Sequence, residues 1–318
     1  MSRTMLKGLL RKALGVSVND DIIAPSGFST GGDGRPTITV PSWNRMSFFD
    51  DFEGIYFGDT GSGGPYYYVH GADSGADGSI QLLSGGTSAV RLTAPANFVV
   101  SNGGGAPDMA GLVLGRHFAT TQGQVRFAAR VRNVDTGTTA NGVSMFCGFT
   151  DDTGTTEVAF YVDTGEDNSA DTGSLLADRG EIAAKAANGV GWLFDTAVDT
   201  GSGLLEPRWC GVAVNASSVK EPVIASRGLV PNNWDTVEVV LDNDVAHFWL
   251  YDKNGVGSKV GTILSPVAKT VKLSPVISIT GHHISDTGAG DTGTTVVART
   301  NRMDVDFLHV SANRDTGT

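Results

Sequence analysis

The chain has 318 residues, of which 40% are hydrophobic, so it can bury a sizeable core and disorder of the whole chain is excluded. Its 43 glycines separate short runs rich in β-branched residues, a composition typical of an all-β sandwich or barrel. The formal net charge of -11 excludes a nucleic-acid groove, because binding to a phosphate backbone requires clustered lysine and arginine.

The first predicted element is a short amphipathic helix over residues 1–15, with leucines on one side and basic residues on the other. An isolated helix of this length is marginal in water, so we expect it to fold only against a partner. We therefore predict a docking element, with a membrane-surface anchor as the alternative. The predicted docking residues are Arg3, Leu6, Lys7, Leu9, Leu10, Arg11 and Leu14.

Residues 16–48 are rich in Gly, Pro and Ser, which indicates an extended arm or linker. No segment of the sequence is apolar for long enough to span a bilayer. The N-terminus also lacks the continuous apolar core of a secretory signal peptide. We therefore expect the chain to be made in a cytoplasm and kept there until assembly or lysis.

From residue 49 to residue 312 the pattern is strand and turn throughout, which predicts one β-sandwich domain followed by a tail over residues 313–318. Residues 79–94 predict a hairpin with Gly85 and Gly86 at its turn. Asp242-Asn243-Asp244 predicts a tight turn between two further strands. The stretch GQVRFAARVRN predicts a strand with Val125, Phe127, Ala129 and Val131 inward and Arg126, Ala128, Arg130 and Arg132 outward.

The stretch DTAVDTGSGLL is similar to the active-site turn of a pepsin-like aspartic protease, with Asp199 as the catalytic candidate. The triplet Asp-Thr-Gly occurs nine times in the chain, whereas a catalytic dyad uses only two carboxylates. The flap of that family carries Tyr-Gly, and no tyrosine of this sequence is followed by glycine. We interpret the triplets as β-turns, in which Asp accepts backbone N–H bonds and Gly takes the left-handed position.

The segment NNWDTVEVVLDNDVAHFWLYDKNG, with GQVRFAARVRN before it and MDVDFLHVSA after it, resembles concanavalin A-like lectin/glucanase sandwiches, including laminin-G-like domains. In that pattern a Trp leads into a strand, an acidic turn follows, and the return strand ends at Asp-x-x-Gly. The resemblance covers about residues 49–312. It implies an antiparallel jelly roll with two sheets of about six or seven strands each. A basic helix and arm attached to such a sandwich resemble bacteriophage virion proteins that decorate capsids or tails.

The resemblance also provides a test for catalysis. Glucanases of this fold carry Glu-x-Asp-x-x-Glu on one strand, since alternate residues point into the same groove. The nearest match, GEIAAKA, has Glu181 in place, but Ala183 and Lys185 or Ala186 replace its partners. One carboxylate cannot carry out a double displacement, so we predict that the chain is not an enzyme.

The sequence offers few metal ligands in a suitable spacing. Cys147 and Cys210 lie in apolar strands, which predicts buried free thiols. His282 and His283 are adjacent on a strand end and face opposite ways, so they would not share a metal. The acidic loops do not match the calcium-hand template. We therefore predict no cofactor and keep calcium bound in an acidic loop as the alternative.

Two hypotheses for function remain. In the first, the chain is a non-enzymatic structural protein of a bacteriophage virion, either a capsid decoration protein or another particle-associated protein. Its helix and arm would dock it on the major capsid protein or on another virion protein. We expect a homo-oligomer there, for example a trimer. In the second, the chain is a carbohydrate-binding, lectin-like module for host attachment, whose aromatic rings stack on sugars. The candidate rings are Trp43, Tyr66, Tyr67 and Trp234. We favour the first, because a free lectin does not require a docking element.

Overall fold

The computed structural model describes the chain in segments. They are residues 28–30, 36–38, 45–52, 68–70, 79–83, 89–94, 109–114, 118–134, 141–151, 160–163, 181–184, 186–195, 208–230, 232–283 and 301–313. The predicted docking helix, much of the predicted arm and residues 314–318 lie outside them.

The described residues form twenty β-strands. In chain order they are β1 (Phe28–Thr30), β2 (Pro36–Ile38), β3 (Arg45–Asp50), β4 (Tyr68–His70), β5 (Ser79–Leu82), β6 (Val90–Ala94), β7 (Met109–Val113), β8 (Val125–Asn133), β9 (Asn141–Thr150), β10 (Phe160–Asp163), β11 (Glu181–Ala184), β12 (Gly189–Asp195), β13 (Arg208–Asn215), β14 (Ser218–Val219), β15 (Val223–Gly228), β16 (Asp235–Asp242), β17 (Val245–Tyr251), β18 (Gly257–Leu264), β19 (Ser274–His283) and β20 (Asn301–Asn313).

Two eight-stranded antiparallel sheets contain most of these strands. Sheet I has the order β18-β17-β16-β8-β20-β6-β5, and β3 also pairs with β20. Sheet II has the order β14-β13-β12-β9-β19-β7-β4, and β15 also pairs with β13. Each sheet exceeds the expected strand number because two short strands share one edge of a longer strand, as β6 and β3 do along β20.

Local sequence patterns account for the best-defined strands. In β8 the inward positions Val125, Phe127, Ala129 and Val131 are buried as predicted. The predicted hairpin of β16 and β17 is confirmed, with Asp242 opposite Val245 and Asn243 at a positive φ of 54° in the turn. Asparagine tolerates this left-handed conformation better than most residues do. The predicted pairing of β5 with β6 is also confirmed, whereas its turn lies outside the described residues.

The main core lies between the two sheets. Trp192 of sheet II packs edge-on against Trp209, with ring centroids 6.5 Å apart, and against Phe248 of sheet I at 5.5 Å. Both buried indole N–H groups are satisfied, because Trp192 donates to the carbonyl of Glu238 and Trp209 donates to Oδ2 of Asp235. The predicted all-β antiparallel sandwich is therefore confirmed.

A second apolar cluster covers the outer side of sheet II. Phe146 and Phe160 pack there with ring centroids 5.1 Å apart, beside the buried Cys210. Close approach of β9 and β12 requires glycine, since a Cβ on Gly191 would lie 2.6 Å from the carbonyl oxygen of Cys147. Both cysteines are buried free thiols, as predicted. These apolar residues form a second, smaller core on the outer side of sheet II.

The first strands of the structure begin at lower residue numbers than the sequence pattern predicted. β1 pairs with β2 inside the predicted arm, and β3 begins at Arg45, before the predicted domain start at residue 49. Helical structure in the described segments is limited to a 3-10 turn over Thr120–Gln122. None of the described helical structure is long and apolar enough to cross a membrane. The predicted domain boundaries stay predictions.

Candidate functional site

Among the described residues, the outer face of sheet I, which points away from the main core, carries many polar and aromatic side chains. Strand pairing aligns its residues into rows across β17, β16, β8, β20 and β3. The row called here the aromatic row consists of Trp249, Glu238, Ala128, His309 and Phe49. The row called the polar row lies beside it and consists of His247, Val240, Arg126, Ser311 and Ser47.

A fixed carboxylate joins the two rows. Arg126 Nε lies 2.7 Å from Oε1 of the buried Glu238, and the hydroxyl of Tyr251 donates to Oε2 at 2.7 Å. Burial, followed by the hydrogen bond to Glu238, raises the pKa of Tyr251 to about 12. The hydroxyl therefore remains protonated and acts as a donor at neutral pH. This arrangement fixes the positions of the guanidinium, the carboxylate and the phenol.

Several polar atoms of the polar row lack a protein partner. Nδ1 of His247 and Oγ of Ser311 are buried and form no hydrogen bond with another described residue. Nε of Arg126 is also buried without a hydrogen-bond partner, although it lies within ion-pair distance of Glu238, and the Nη groups make no hydrogen bond with another described residue. Buried polar atoms in proteins are rarely left unpaired, so a group of them on one row indicates a place where water or a ligand binds.

The aromatic row supplies apolar surface next to these atoms. Trp249 is half-buried, and its side chain makes no hydrogen bond or ring contact with another described residue. Phe49 is 39% exposed and packs against Phe307, with centroids 5.8 Å apart. Neighbouring strands lie about 4.8 Å apart, so the row extends roughly 19 Å from Trp249 to Phe49. Ala128, the smallest side chain of the row, lies at its centre.

Ion pairs also connect the strands of this face, on the side of the aromatic row that lies away from the polar row. Asp304 is fully buried, accepts from Nε and Nη2 of Arg91 at 2.7 and 3.0 Å, and pairs with Nη2 of Arg132 at 2.7 Å. Arg130 pairs with the more exposed Asp306 at 2.9 Å. These contacts tie β6, β20 and β8 together, so they hold the backbone under both rows in place.

Trp234 is the one predicted sugar-stacking residue whose side chain the structure describes. The guanidinium carbons of Arg130 and Arg132 lie 5.3 and 4.6 Å from its ring centroid, in cation–π contact. A sugar would have to stack beside these guanidinium groups or displace them. The stacking role of Trp234 stays a prediction.

The other predicted site residues lie outside the description. This applies to the docking residues of the helix, to Trp43, Tyr66 and Tyr67, to Asp199 and to the side chain of Glu181. Sequence reasoning did not identify Trp249, His247 or Ser311 as site residues. The alternation in the stretch VAHFWLY indicated that His247 and Trp249 share one side of a strand, but it could not show which distant residues lie beside them.

A metal site is not apparent in the described segments, where no group of three His, Cys, Asp or Glu side chains converges. The acidic loops that prompted the calcium alternative lie largely outside those segments, so that alternative stays a hypothesis. Sheet II has polar residues at one end of its outer side, where Asp195 pairs in register with Ser144 and Arg208. Asp195 is fully buried and Ser144 is 5% exposed, so this end is not an open surface.

Comparison with known proteins shows only that the fold of this chain is similar to the folds of solved structures. No family model matches the chain, and no curated protein matches its sequence. Among solved structures, it is similar to peanut lectin at 12% identity and a TM-score of 0.46, with 85% of this chain and 97% of the lectin covered. It is also similar to a protein of unknown function from Shewanella oneidensis MR-1 at 12% identity and a TM-score of 0.47, with 86% and 89% covered. A third is a prokaryotic β-1,3-1,4-glucanase from a mouse hindgut metagenome, at 10% identity and a TM-score of 0.44, with 83% and 98% covered.

Two of these structures, a lectin and a glucanase, carry the names of the class that the sequence pattern resembles, and the third has no stated function. A lectin and an enzyme therefore share this likeness of fold, and at TM-scores below 0.5 it does not distinguish binding from catalysis for this chain. The choice between those functions therefore depends on the residues of the outer face of sheet I.

Proposed function

We propose that the chain is a non-enzymatic saccharide-binding module whose ligand lies on the outer face of sheet I. The observation that supports this proposal is the position of the aromatic row directly beside the unpaired atoms of the polar row. A sugar ring has an apolar C–H face and a rim of hydroxyl groups. Aromatic rings match the first, and unpaired donors and acceptors match the second.

The individual residues would act in complementary ways. Trp249 would stack on one sugar ring and use its indole N–H as a donor, because that group is unpaired among the described residues. His247 and Ser311 would bond to hydroxyl groups on the neighbouring edge. Because one ion pair already holds Glu238 and Arg126 together, binding would order few additional side chains, which lowers its entropic cost.

The same contacts favour binding over catalysis. Glu238 is the carboxylate of the aromatic row, next to Trp249, and it is engaged by Arg126 on one oxygen and by Tyr251 on the other. A general acid or nucleophile must reach the scissile bond with a free oxygen. We therefore propose binding without turnover.

The test is a glycan panel probed with the full chain, followed by calorimetric titration of the best ligand. Trp249→Ala should abolish binding, and Trp249→Phe should restore part of it because a ring is retained. Val256→Ala is the matched control, since Val256 is a 70% exposed apolar residue that precedes β18 and is absent from both rows. If Trp249→Ala binds as the parent does, the ligand is not on this face.

A second proposal concerns the N-terminus and rests on the amphipathic pattern of residues 1–15 alone. We propose that this helix docks the sandwich on a virion protein, as a decoration protein would be docked. Deleting residues 1–16 should then weaken loading on particles or oligomers and leave glycan binding unchanged. Co-sedimentation with particles measures the loading, and full occupancy of the deleted chain would contradict this proposal.

A further inference from the structure

We infer that the saccharide carries a carboxylate group and that Arg126 and Ser311 bind this group. This inference rests on the proposed function and specifies its ligand class. It follows from three features of the outer face of sheet I: the unused part of the Arg126 guanidinium, the position of Ser311 and the charge of the surface.

Arg126 has donors left beside its ion pair with Glu238. The nearest contact of the pair is Nε at 2.7 Å, which lies within ion-pair distance but forms no hydrogen bond, and the two Nη groups make no hydrogen bond with another described residue. The side chain is 25% exposed, so these groups can be reached from solvent. A guanidinium presents its N–H groups as a planar fork, which matches a planar carboxylate better than it matches a single hydroxyl.

Ser311 lies directly opposite Arg126 on the neighbouring strand β20. Residues opposite each other in an antiparallel pair have Cα atoms about 4.5–5.5 Å apart. The Oγ of Ser311 is buried without a hydrogen-bond partner among the described residues, so it can donate to an oxygen that the Arg126 fork also holds.

The next position along the polar row is Ser47, whose Oγ lies 3.1 Å from Nε2 of His309. Phe49 and Phe307 pack together next to this pair and provide apolar surface for the ring of the same sugar. A carboxylate at Arg126 and Ser311 would therefore place its sugar ring over the exposed end of the aromatic row.

The charge of the face favours an acidic ligand although the whole chain is acidic. Strand alternation directs ten charged side chains outward on β6, β8, β16, β18 and β20, and six of them are basic. The basic ones are Arg91, Arg126, Arg130, Arg132, Lys259 and Arg302, and the acidic ones are Glu238, Asp242, Asp304 and Asp306. The formal net charge of the whole chain is -11, so this face is a local positive region that attracts anions.

The experiment compares two ligands, one with free carboxylates and one in which methyl esters replace them. The full chain is titrated calorimetrically with a galacturonic acid oligomer and with the same oligomer after methyl esterification of its carboxyl groups. We expect the acid form to bind at least about tenfold more tightly, since a charge-assisted hydrogen bond exceeds a neutral one by this much.

Three variants test which residues cause the preference for the acid form of the oligomer. Arg126→Lys keeps a cation opposite Glu238 but loses the bidentate fork, so the acid-to-ester affinity ratio should fall below that of the parent. Ser311→Ala should lower affinity for the acid form and leave the ester unchanged. Lys272→Gln is the charge control, because Lys272 is an exposed cation just before β19 of sheet II, and it should keep the parent ratio. Circular dichroism verifies that each variant is folded.

The outcomes separate this inference from the proposed function. Equal binding of both oligomers to the parent overturns the carboxylate inference and leaves saccharide binding in place. An acid preference that survives both Arg126→Lys and Ser311→Ala also overturns it, because surface charge alone would then be responsible. Absence of binding by both oligomers and by every glycan of the panel overturns the proposed function together with the inference.

Discussion

Asp304 provides the sharpest prediction about stability. Its carboxylate is fully buried and pairs with Arg91 and Arg132, two arginines on the strands at either side of β20. Asp304→Asn keeps the shape of the side chain and removes the charge. Removing one partner of a buried ion pair costs about 3–5 kcal/mol, because the remaining charge stays desolvated. The arginine side chains are 22% and 29% exposed and can partly reach water, so we expect the lower end, about 3 kcal/mol.

The assay is equilibrium unfolding in urea followed by tryptophan fluorescence. Asp306→Asn is the matched control on the same strand, since Asp306 is 32% exposed and pairs only with Arg130 among the described residues. Exposed pairs contribute about 0–1 kcal/mol, so this control should stay within that range. Equal losses for the two variants would refute the reasoning, because burial would then not determine the contribution of the carboxylate.

Further predictions concern packing, titration and thiol reactivity. Gly191→Ala places a Cβ against backbone atoms of the facing strand, so it should lower the free energy of unfolding in urea by about 3 kcal/mol or more. Gly255→Asn is the control, because Gly255 has a positive φ that asparagine tolerates and an added Cβ would meet nothing within 4 Å, so this change should cost little. The pKa of Tyr251 is raised from 10.0 to about 12, so its contribution to stability is complete below pH 10.0 and is lost as pH rises to about 12. Urea midpoints measured across that range should fall less for Tyr251→Phe than for the parent. Burial raises the thiol pKa of Cys147 and of Cys210, the latter to about 12, so neither thiol should react with a disulfide reagent before the chain unfolds. Rapid reaction of the native chain would contradict the buried positions of both cysteines.

The sequence by itself determined which side of each clear strand is buried. Val125 and Phe127 in β8 alternate with Arg126, and successive side chains of a strand point to opposite faces whatever the strand pairs with. The same holds for the turn at Asn243, because turn residues and their φ preference are properties of a few neighbouring positions. Fold class follows from such local patterns repeated along the chain, and the sandwich was therefore predicted correctly.

Tertiary structure alone decided which residues share a site. Arg126 and Ser311 become neighbours only because β8 pairs with β20, and the Asp306 carboxylate reaches Arg130 across 176 residues of chain. Neither sequence neighbourhood nor periodicity encodes that pairing, since sheet order and register depend on how all strands pack together. The candidate site on sheet I consists of such cross-strand neighbours, so it could be recognised only after the register of the strands was known.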